Sequence, residues 1–314
     1  MQKKYCLFSA PFNFLNKNIF LNAADYKFIF SEIWKQNDIK KNNKITSWIV
    51  NPGQNFSINE KILKFYPNLK IIITPSTGTN HIDLKVCKKN KIKVFSLLNK
   101  RKDLNKIRAS SEFTFLLALN ALRRLDIAFN EVDQDRWRHK ENLLRGKEIF
   151  GKTIGIVGLG RIGSNLARWF SSFGAKVIYY DTIKKVKKFR KKSLDSIFRE
   201  SDLTCICCIL NSKTKNLINL QNLNLMKKNS ILVNTSRGEV INEKDLINFL
   251  NTRKDIFFTT DVLSGEIKGT NLKSRLIDFH KNRRILISPH IAGATLESQS
   301  QAANIAVKIL KENL

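Results

Sequence analysis

The chain has 314 residues and a formal charge of +30, from 56 Lys and Arg against 26 Asp and Glu. That length covers about two domains with substantial cores, and the lack of any run of about eighteen apolar residues argues against a membrane-spanning helix. The charge favours anionic partners, but the lysines are spread along the chain among many Asn and Ile, so biased composition explains the excess better than a nucleic-acid role.

The opening residues start basic but are soon interrupted by Pro11, Asn13, Asn16 and Lys17, which is not a secretory leader. Five cysteines without metal-ligand spacing fit a reducing, cytoplasmic setting, and no metal site is expected. Short apolar runs then alternate with amphipathic ones. TSWIVNP near Ile49 reads as a strand, INEKILKFYP as a helix with Ile58, Ile62, Leu63 and Phe65 on one side, LKIIITPSTGTNHIDL as a buried strand running into a turn, and residues 92–98 as a further strand. This makes a small α/β unit of its own. Residues 107–129 predict one long helix, and the charged, aromatic segment that follows it reads as an arm suited to subunit contact.

Residues 153–181, TIGIVGLGRIGSNLARWFSSFGAKVIYYD, carry the strongest signal: strand, glycine turn, amphipathic helix, second strand and a terminal acid. Gly158 allows the tight turn, Gly160 lets backbone N–H groups approach a pyrophosphate, and Gly163 lets the helix lie against its strand. The pyrophosphate sits on the helix N-terminus, where the dipole and the first N–H groups favour an anion. Asp181 is placed to accept hydrogen bonds from ribose hydroxyls, which points to NAD and against a 2′-phosphate. Residues 184–192, KKVKKFRKK, are either a solvated loop or a clamp for the adenosine end of the cofactor, and they leave NADP open.

The α/β rhythm then continues. Helices are expected near 193–200, 220–228 and 243–250, with strands in LTCICCIL, SILVNTS, FFTTDVL and RILISPH, and Cys205, Cys207 and Cys208 read as core thiols. Such alternation predicts a mainly parallel sheet covered on both faces, with ligands beyond the carboxyl ends of the strands. Three of those ends deliver polar groups: Arg237 in NTSRG, Asp261 and Glu266 in DVLSGE, and His290 in SPHIAG.

Through STGTNHIDL, SSEFTFLLAL, GLGRIG with Asp181, VNTSRGEVINEKDL, DVLSGE and SPHIAGAT, in that order, the chain resembles the D-isomer-specific 2-hydroxyacid dehydrogenase family from about residue 70 to the end. The resemblance implies an α/β architecture of two Rossmann-like domains, one flavodoxin-like and one NAD-binding, with doubly wound parallel sheets and a cleft between them. Residues 1–106 plus 289–314 would form the substrate domain and residues 107–288 the NAD domain. It implies an NAD-dependent oxidoreductase interconverting a D-2-hydroxy acid and its 2-oxo acid. Arg237 would bind the substrate carboxylate and reacting oxygen, His290 would be the acid/base, and Glu266 would pair with His290 and stabilise the imidazolium. The cofactor would meet Gly158, Gly160, Arg161, Ile162, Gly163, Asp181, Thr214, Thr235, Ser236, Asp261 and Gly293, with Asp261 on the nicotinamide carboxamide. Ser76, Thr77 and Gly78 would meet the substrate. A homodimer through the long helix and arm is also implied.

The sequence departs from the family's pattern in three places. Cys207 stands near a usual histidine, Ile209 near a usual proline, and Ile267 where a proline usually follows the glutamate. Among branches, the approach to the glycine turn looks like phosphoglycerate dehydrogenases, yet Asn51 stands where those often place a phosphate-binding Arg. That keeps 3-phosphoglycerate as one candidate beside glycerate, hydroxypyruvate, glyoxylate and sugar-derived acids. A second class of function, an NAD-sensing interaction protein resembling the corepressors of the same fold, is left for experiment to separate.

Overall fold

The computed structural model describes residues 3–138, 141–268 and 271–313. The chain divides into two compact units: Met1–Ile107 with Glu266–Gly269 and Ala294–Leu314, and Arg108–Gly265 with Thr270–Gly293. His139 lies outside the described residues. Among them, no helix is long and apolar enough to cross a membrane.

In the first unit the strands are β1 (Lys4–Phe8), β2 (Tyr26–Phe30), β3 (Ile45–Ile49), β4 (Ile71–Thr74) and β5 (Lys93–Ser96). They form one sheet in the order β2-β1-β3-β4-β5 with every neighbour parallel, the flavodoxin-like order. Side chains alternate between its two faces. Cys6, Phe8, Ile49, Ile71 and Ile73 join one core with Ala302, Ala306, Val307 and Leu310 of helix Leu296–Glu312. Leu7, Trp48, Val50 and Ile72 join the other. Burial on both faces makes the interior β4, IIIT, read as an unbroken apolar run rather than an alternating one.

The second unit holds β6 (Thr153–Val157), β7 (Lys176–Tyr180), β8 (Arg190–Lys191), β9 (Leu203–Ile206), β10 (Ile231–Asn234), β11 (Phe257–Thr260) and β12 (Ile285–Ile287). Their order is β12-β11-β10-β9-β6-β7-β8, again parallel throughout. The strand order reverses between β6 and β9, the switch point beyond whose carboxyl ends ligands bind in doubly wound sheets. Helices Ala109–Arg123 and Arg161–Ser172 cover one face through Leu117, Ala121, Leu166 and Phe170. Helix Glu243–Thr252 covers the other through Leu246, Phe249 and Leu250.

Two sequence expectations change here. The helix foreseen over 107–129 is broken: Ala109–Arg123 ends at Arg124, whose φ is +51°, and a new helix runs over Leu125–Asp133. Arg124 pairs locally with Asp126 at 3.0 Å, and its guanidinium lies 4.2 Å from the Phe257 ring centroid, a tertiary contact at a left-handed residue no helical pattern announces. In the lysine-rich segment, Arg190 and Lys191 form a short strand paired with β7, while Lys184, Lys185, Lys187 and Lys188 are exposed.

Candidate active site

The glycine turn closes the switch point. Gly158 has a φ of +95°, and a Cβ there would lie 2.8 Å from the backbone N and Cα of Cys208, so both conformation and space demand glycine. At Gly163 a Cβ would come within 2.1 Å of the Gly158 carbonyl oxygen, the close helix–strand approach read from the sequence. Gly160 differs: its φ of −68° is ordinary, and a Cβ there meets nothing within 4 Å. The protein's own packing therefore has no use for glycine at this point, whereas a phosphate approaching the backbone does. Gly160 is also the N-cap of helix Arg161–Ser172 and makes no side-chain cap bond, which suits the helix start to an anion. These features fit a dinucleotide. Ile162 is partly buried in the core beneath.

Asp181, at the end of β7, accepts from the backbone N–H of Leu159 at 2.7 Å, of Ile183 at 2.9 Å and of Lys184 at 2.7 Å. Burial pushes its carboxyl up, but the three N–H donors and the Lys184 charge outweigh this, and the group is held below its usual range. The acid foreseen for ribose hydroxyls thus also ties β7 to the glycine turn. A carboxylate offers about four lone-pair positions, which leaves room for a ribose hydroxyl. Arg161 opens the helix; burial, then the like charge of Arg108, pushes its pKa down, although a guanidinium stays a cation at neutral pH. One turn on, Asn165 accepts from both Arg108 and Arg168 at 2.6 Å and donates to Ser111 at 3.0 Å, a network the sequence reading missed.

Beyond β10 the chain folds around Asn234. Its side-chain oxygen accepts from Ser236 N–H at 3.1 Å and Ser236 Oγ at 2.8 Å, and its amide donates to the Arg237 carbonyl at 3.1 Å. An Asn at a strand end just before a Ser is the sequence signal for this turn. Arg237 Nη1 donates to the Ser236 carbonyl at 2.7 Å. Gly238 follows, where a Cβ would lie 2.1 Å from the Leu263 carbonyl carbon and 2.2 Å from Ser264 N. The backbones after β10 and β11 are thus in contact. Thr235 and Ser236 are buried, and the Thr235 hydroxyl is 2.6 Å from that of Thr114. Thr214 closes its own loop, its hydroxyl donating to the Ile209 carbonyl and accepting from Asn211 N–H.

Asp261 follows β11 and is 1 % exposed. Its carboxylate accepts from Ser288 Oγ at 2.6 Å and from the N–H groups of Ile291 at 2.9 Å and Ala292 at 2.8 Å. Burial raises its pKa, opposed by those bonds and by the charge of His290. The residue foreseen for the nicotinamide carboxamide is therefore bound to both sides of the His290 loop. His290 is exposed and has a φ of +56°. A Cβ on Gly293 would meet only Ser110 Oγ, at 3.7 Å. Arg237, Asp261 and His290 thus come from neighbouring strand ends of one sheet.

The other expected residues lie in the first unit. Ser76, Thr77 and Gly78 follow β4, where Ser76 Oγ donates to the Gly78 carbonyl at 2.8 Å. Glu266 opens the one-turn helix Glu266–Lys268. Cys207 and Cys208 follow β9. Cys207 N–H donates to the Val157 carbonyl at 2.8 Å, and burial pushes the Cys208 thiol up to about 11. His81 is buried, and His280 Nδ1 accepts from Ile287 N–H at 3.2 Å.

Residues 115–292 match the family model described as D-isomer specific 2-hydroxyacid dehydrogenase, NAD binding domain. A glyoxylate reductase of Thermofilum pendens is 33% identical over 261 residues, covering 81% of this chain and 74% of the relative. A hydroxypyruvate reductase of Thermotoga maritima is 30% identical over 262 residues, covering 81% of each. A D-lactate dehydrogenase of Aquifex aeolicus, solved with NAD and lactic acid, superposes with a TM-score of 0.81 at 25% identity, covering 99% of this chain and 95% of that one. With its parallel seven-stranded sheet, its dinucleotide-fitting glycine turn and these likenesses, the chain belongs to the D-isomer specific 2-hydroxyacid dehydrogenase family, NAD-dependent oxidoreductases.

Proposed function

We propose that this chain reduces a small, non-phosphorylated 2-oxo acid of the glyoxylate or hydroxypyruvate type to its D-2-hydroxy acid, with Arg237, Glu266 and His290 as the catalytic residues. The observation that carries the reading is the Asp261 carboxylate, which gathers the end of β11 and the His290 loop beside the strand end bearing Arg237. The T. pendens and T. maritima relatives support the substrate class by their names. So does Asn51, which is buried and spends its side chain on the Ile33 carbonyl at 3.0 Å and Gly53 N–H at 2.9 Å, offering no cation to a phosphate.

Arg237 holds the substrate carboxylate and polarises the carbonyl oxygen through its planar fork, and the backbone of Ser76, Thr77 and Gly78 meets the same carboxylate. NADH, when bound, supplies the hydride to the carbonyl carbon. His290 gives its proton to the oxygen as that charge develops, and Glu266 stabilises the imidazolium that must precede it. In the oxidative direction the same imidazole takes the hydroxyl proton.

The cofactor is held at Gly158, Gly160, Arg161, Ile162 and Gly163, with Asp181 favouring NAD over NADP. Thr214, Thr235, Ser236, Asp261 and Gly293 frame its path. The protein works in the cytoplasm as a homodimer through helix Leu125–Asp133, which exposes Leu125, Phe129 and Val132; light scattering of Phe129→Asp as a monomer would support that surface.

The test is NADH oxidation against glyoxylate, hydroxypyruvate, pyruvate and phosphohydroxypyruvate, with NADPH and the variants His290→Ala and Arg237→Ala as controls. Turnover of the unphosphorylated acids, lost in both variants while NADH binding persists, is expected. Preference for the phosphorylated acid would overturn the substrate class, and normal turnover in both variants would overturn the catalytic roles.

A further inference from the structure

Glu239 belongs to no part of the reaction described so far. It sits in the one-turn helix Gly238–Val240, two residues past Arg237, and its Oε1 accepts from the N–H of Gly265 at 3.2 Å. Its own backbone is held from the other side, since its carbonyl accepts from Asn216 N–H at 2.8 Å. Gly265 has a φ of +82° and immediately precedes Glu266.

The turn needs an external hold. No proline lies between residues 261 and 268 to fix a φ covalently, and glycine is the residue with the widest backbone freedom. Two contacts contribute to that restraint. The backbone of Gly238 presses on Leu263 and Ser264, leaving no space for a Cβ, and the Glu239 carboxylate accepts from the Gly265 N–H of the same turn. A carboxylate accepting from a backbone N–H is the stronger, charge-assisted kind of bond.

We infer that Glu239 is a positioning residue for Glu266, and that it links the Arg237 turn to the turn presenting the glutamate so that both are set by one short helix. The inference rests on the reading of Glu266 as the partner of His290. Glu239 touches neither substrate nor cofactor in this account. Its effect belongs in the chemical step.

The experiment compares Glu239→Ala and Glu239→Gln in the full-length protein by steady-state kinetics with glyoxylate, NADH titration by fluorescence, and hydrogen exchange of the peptide spanning residues 261–267. For the alanine variant, kcat should fall by about tenfold, the weight of one charge-assisted hydrogen bond. NADH Kd should stay within about twofold, and exchange in the peptide should rise. The glutamine variant keeps an oxygen acceptor without the charge and should lie between the parent and the alanine variant in kcat and exchange, with NADH Kd unchanged. Should the alanine variant not fold, Glu239→Met keeps the stem without an acceptor and makes the same comparison.

An alanine variant with parental kcat and exchange, a glutamine variant as impaired as alanine, or an equal loss of NADH affinity would each overturn the inference. Glu266→Gln run alongside separates the two levels. Loss of kcat there with none in Glu239→Ala refutes the positioning role alone, and full activity in Glu266→Gln refutes the role of Glu266 and this inference with it.

Discussion

Gly160→Ala separates a glycine the ligand needs from glycines the protein needs. At Gly158 and Gly163 an added Cβ would strike backbone at 2.8 Å and 2.1 Å, but at Gly160 it meets nothing within 4 Å and the φ of −68° suits alanine. Replacing a glycine whose conformation the new residue can adopt stabilises a fold by about 0.4–1 kcal/mol, because the unfolded chain loses freedom. The melting temperature of Gly160→Ala should therefore hold or rise slightly. With the pyrophosphate on the helix N-terminus as proposed, the new methyl group would occupy the space it must cross. Displacing one hydrogen bond to a charged group costs about 1.5–3 kcal/mol, which at 1.4 kcal/mol per decade raises the Kd for NADH by about 10- to 100-fold. Scanning fluorimetry and calorimetric titration on one preparation measure both. A variant that binds NADH normally, or one that melts well below the parent, would refute the assignment of this empty space to the cofactor.

Gly238→Ala should behave in the opposite way: its Cβ would fall 2.1 Å from the Leu263 carbonyl carbon, so melting temperature and kcat drop together, with a stability loss of about 1–3 kcal/mol by thermal unfolding. Asp261→Asn replaces an acceptor-only carboxylate with an amide that can satisfy fewer of the donors from Ser288, Ile291 and Ala292; kcat should fall by about tenfold or more while the Kd for NADH changes less, as paired turnover and titration would record. For Asp181 the folded pKa lies below the unfolded value, so its contribution to stability is present above about pH 4 and is lost as pH falls through the folded value. Asp181→Asn should flatten the acid limb of melting temperature against pH, and it should narrow the preference for NADH over NADPH in steady-state assays.

Residues whose local sequence already states a steric demand were legible. The turn at Gly158, the packing at Gly163 and the strand ends carrying Arg237 and His290 all follow from rules that act over a few residues. What could not be read depends on contacts far along the chain. Arg124 breaks a helix with its guanidinium over the Phe257 ring and its Nη2 donating to the Arg283 carbonyl, partners that RRLD does not show. The N-terminal strands escaped notice because five-residue strands such as KYCLF and YKFIF, with Lys4 and Lys27 breaking the apolar run, resemble any short apolar segment. The C-terminal helix Leu296–Glu312 buries Ser298, Ala302, Ala303 and Ala306, small residues that leave only a faint amphipathic stripe. Asp261 was expected at the cofactor site, yet its three bonds to residues 27–31 positions away are a property of the assembled sheet.

Those three bonds also account for the conformation of the proposed acid/base. A non-glycine residue in the left-handed region costs of order 1–3 kcal/mol, toward the low end for histidine, which visits that region more readily than most. His290 holds a φ of +56° there, with its N–H donating to the Ser288 carbonyl at 3.0 Å. The Asp261 carboxylate fixes Ser288 on one side of it and Ile291 and Ala292 on the other. Hydrogen bonds to a charged group contribute about 1.5–3 kcal/mol each, the same order as the backbone strain they hold, while burial opposes the charge that strengthens them and raises the Asp261 pKa. The backbone at His290 is therefore held by the fold itself, so that, with His290 as the proposed acid/base, no reorganisation of this loop would be added to the barrier.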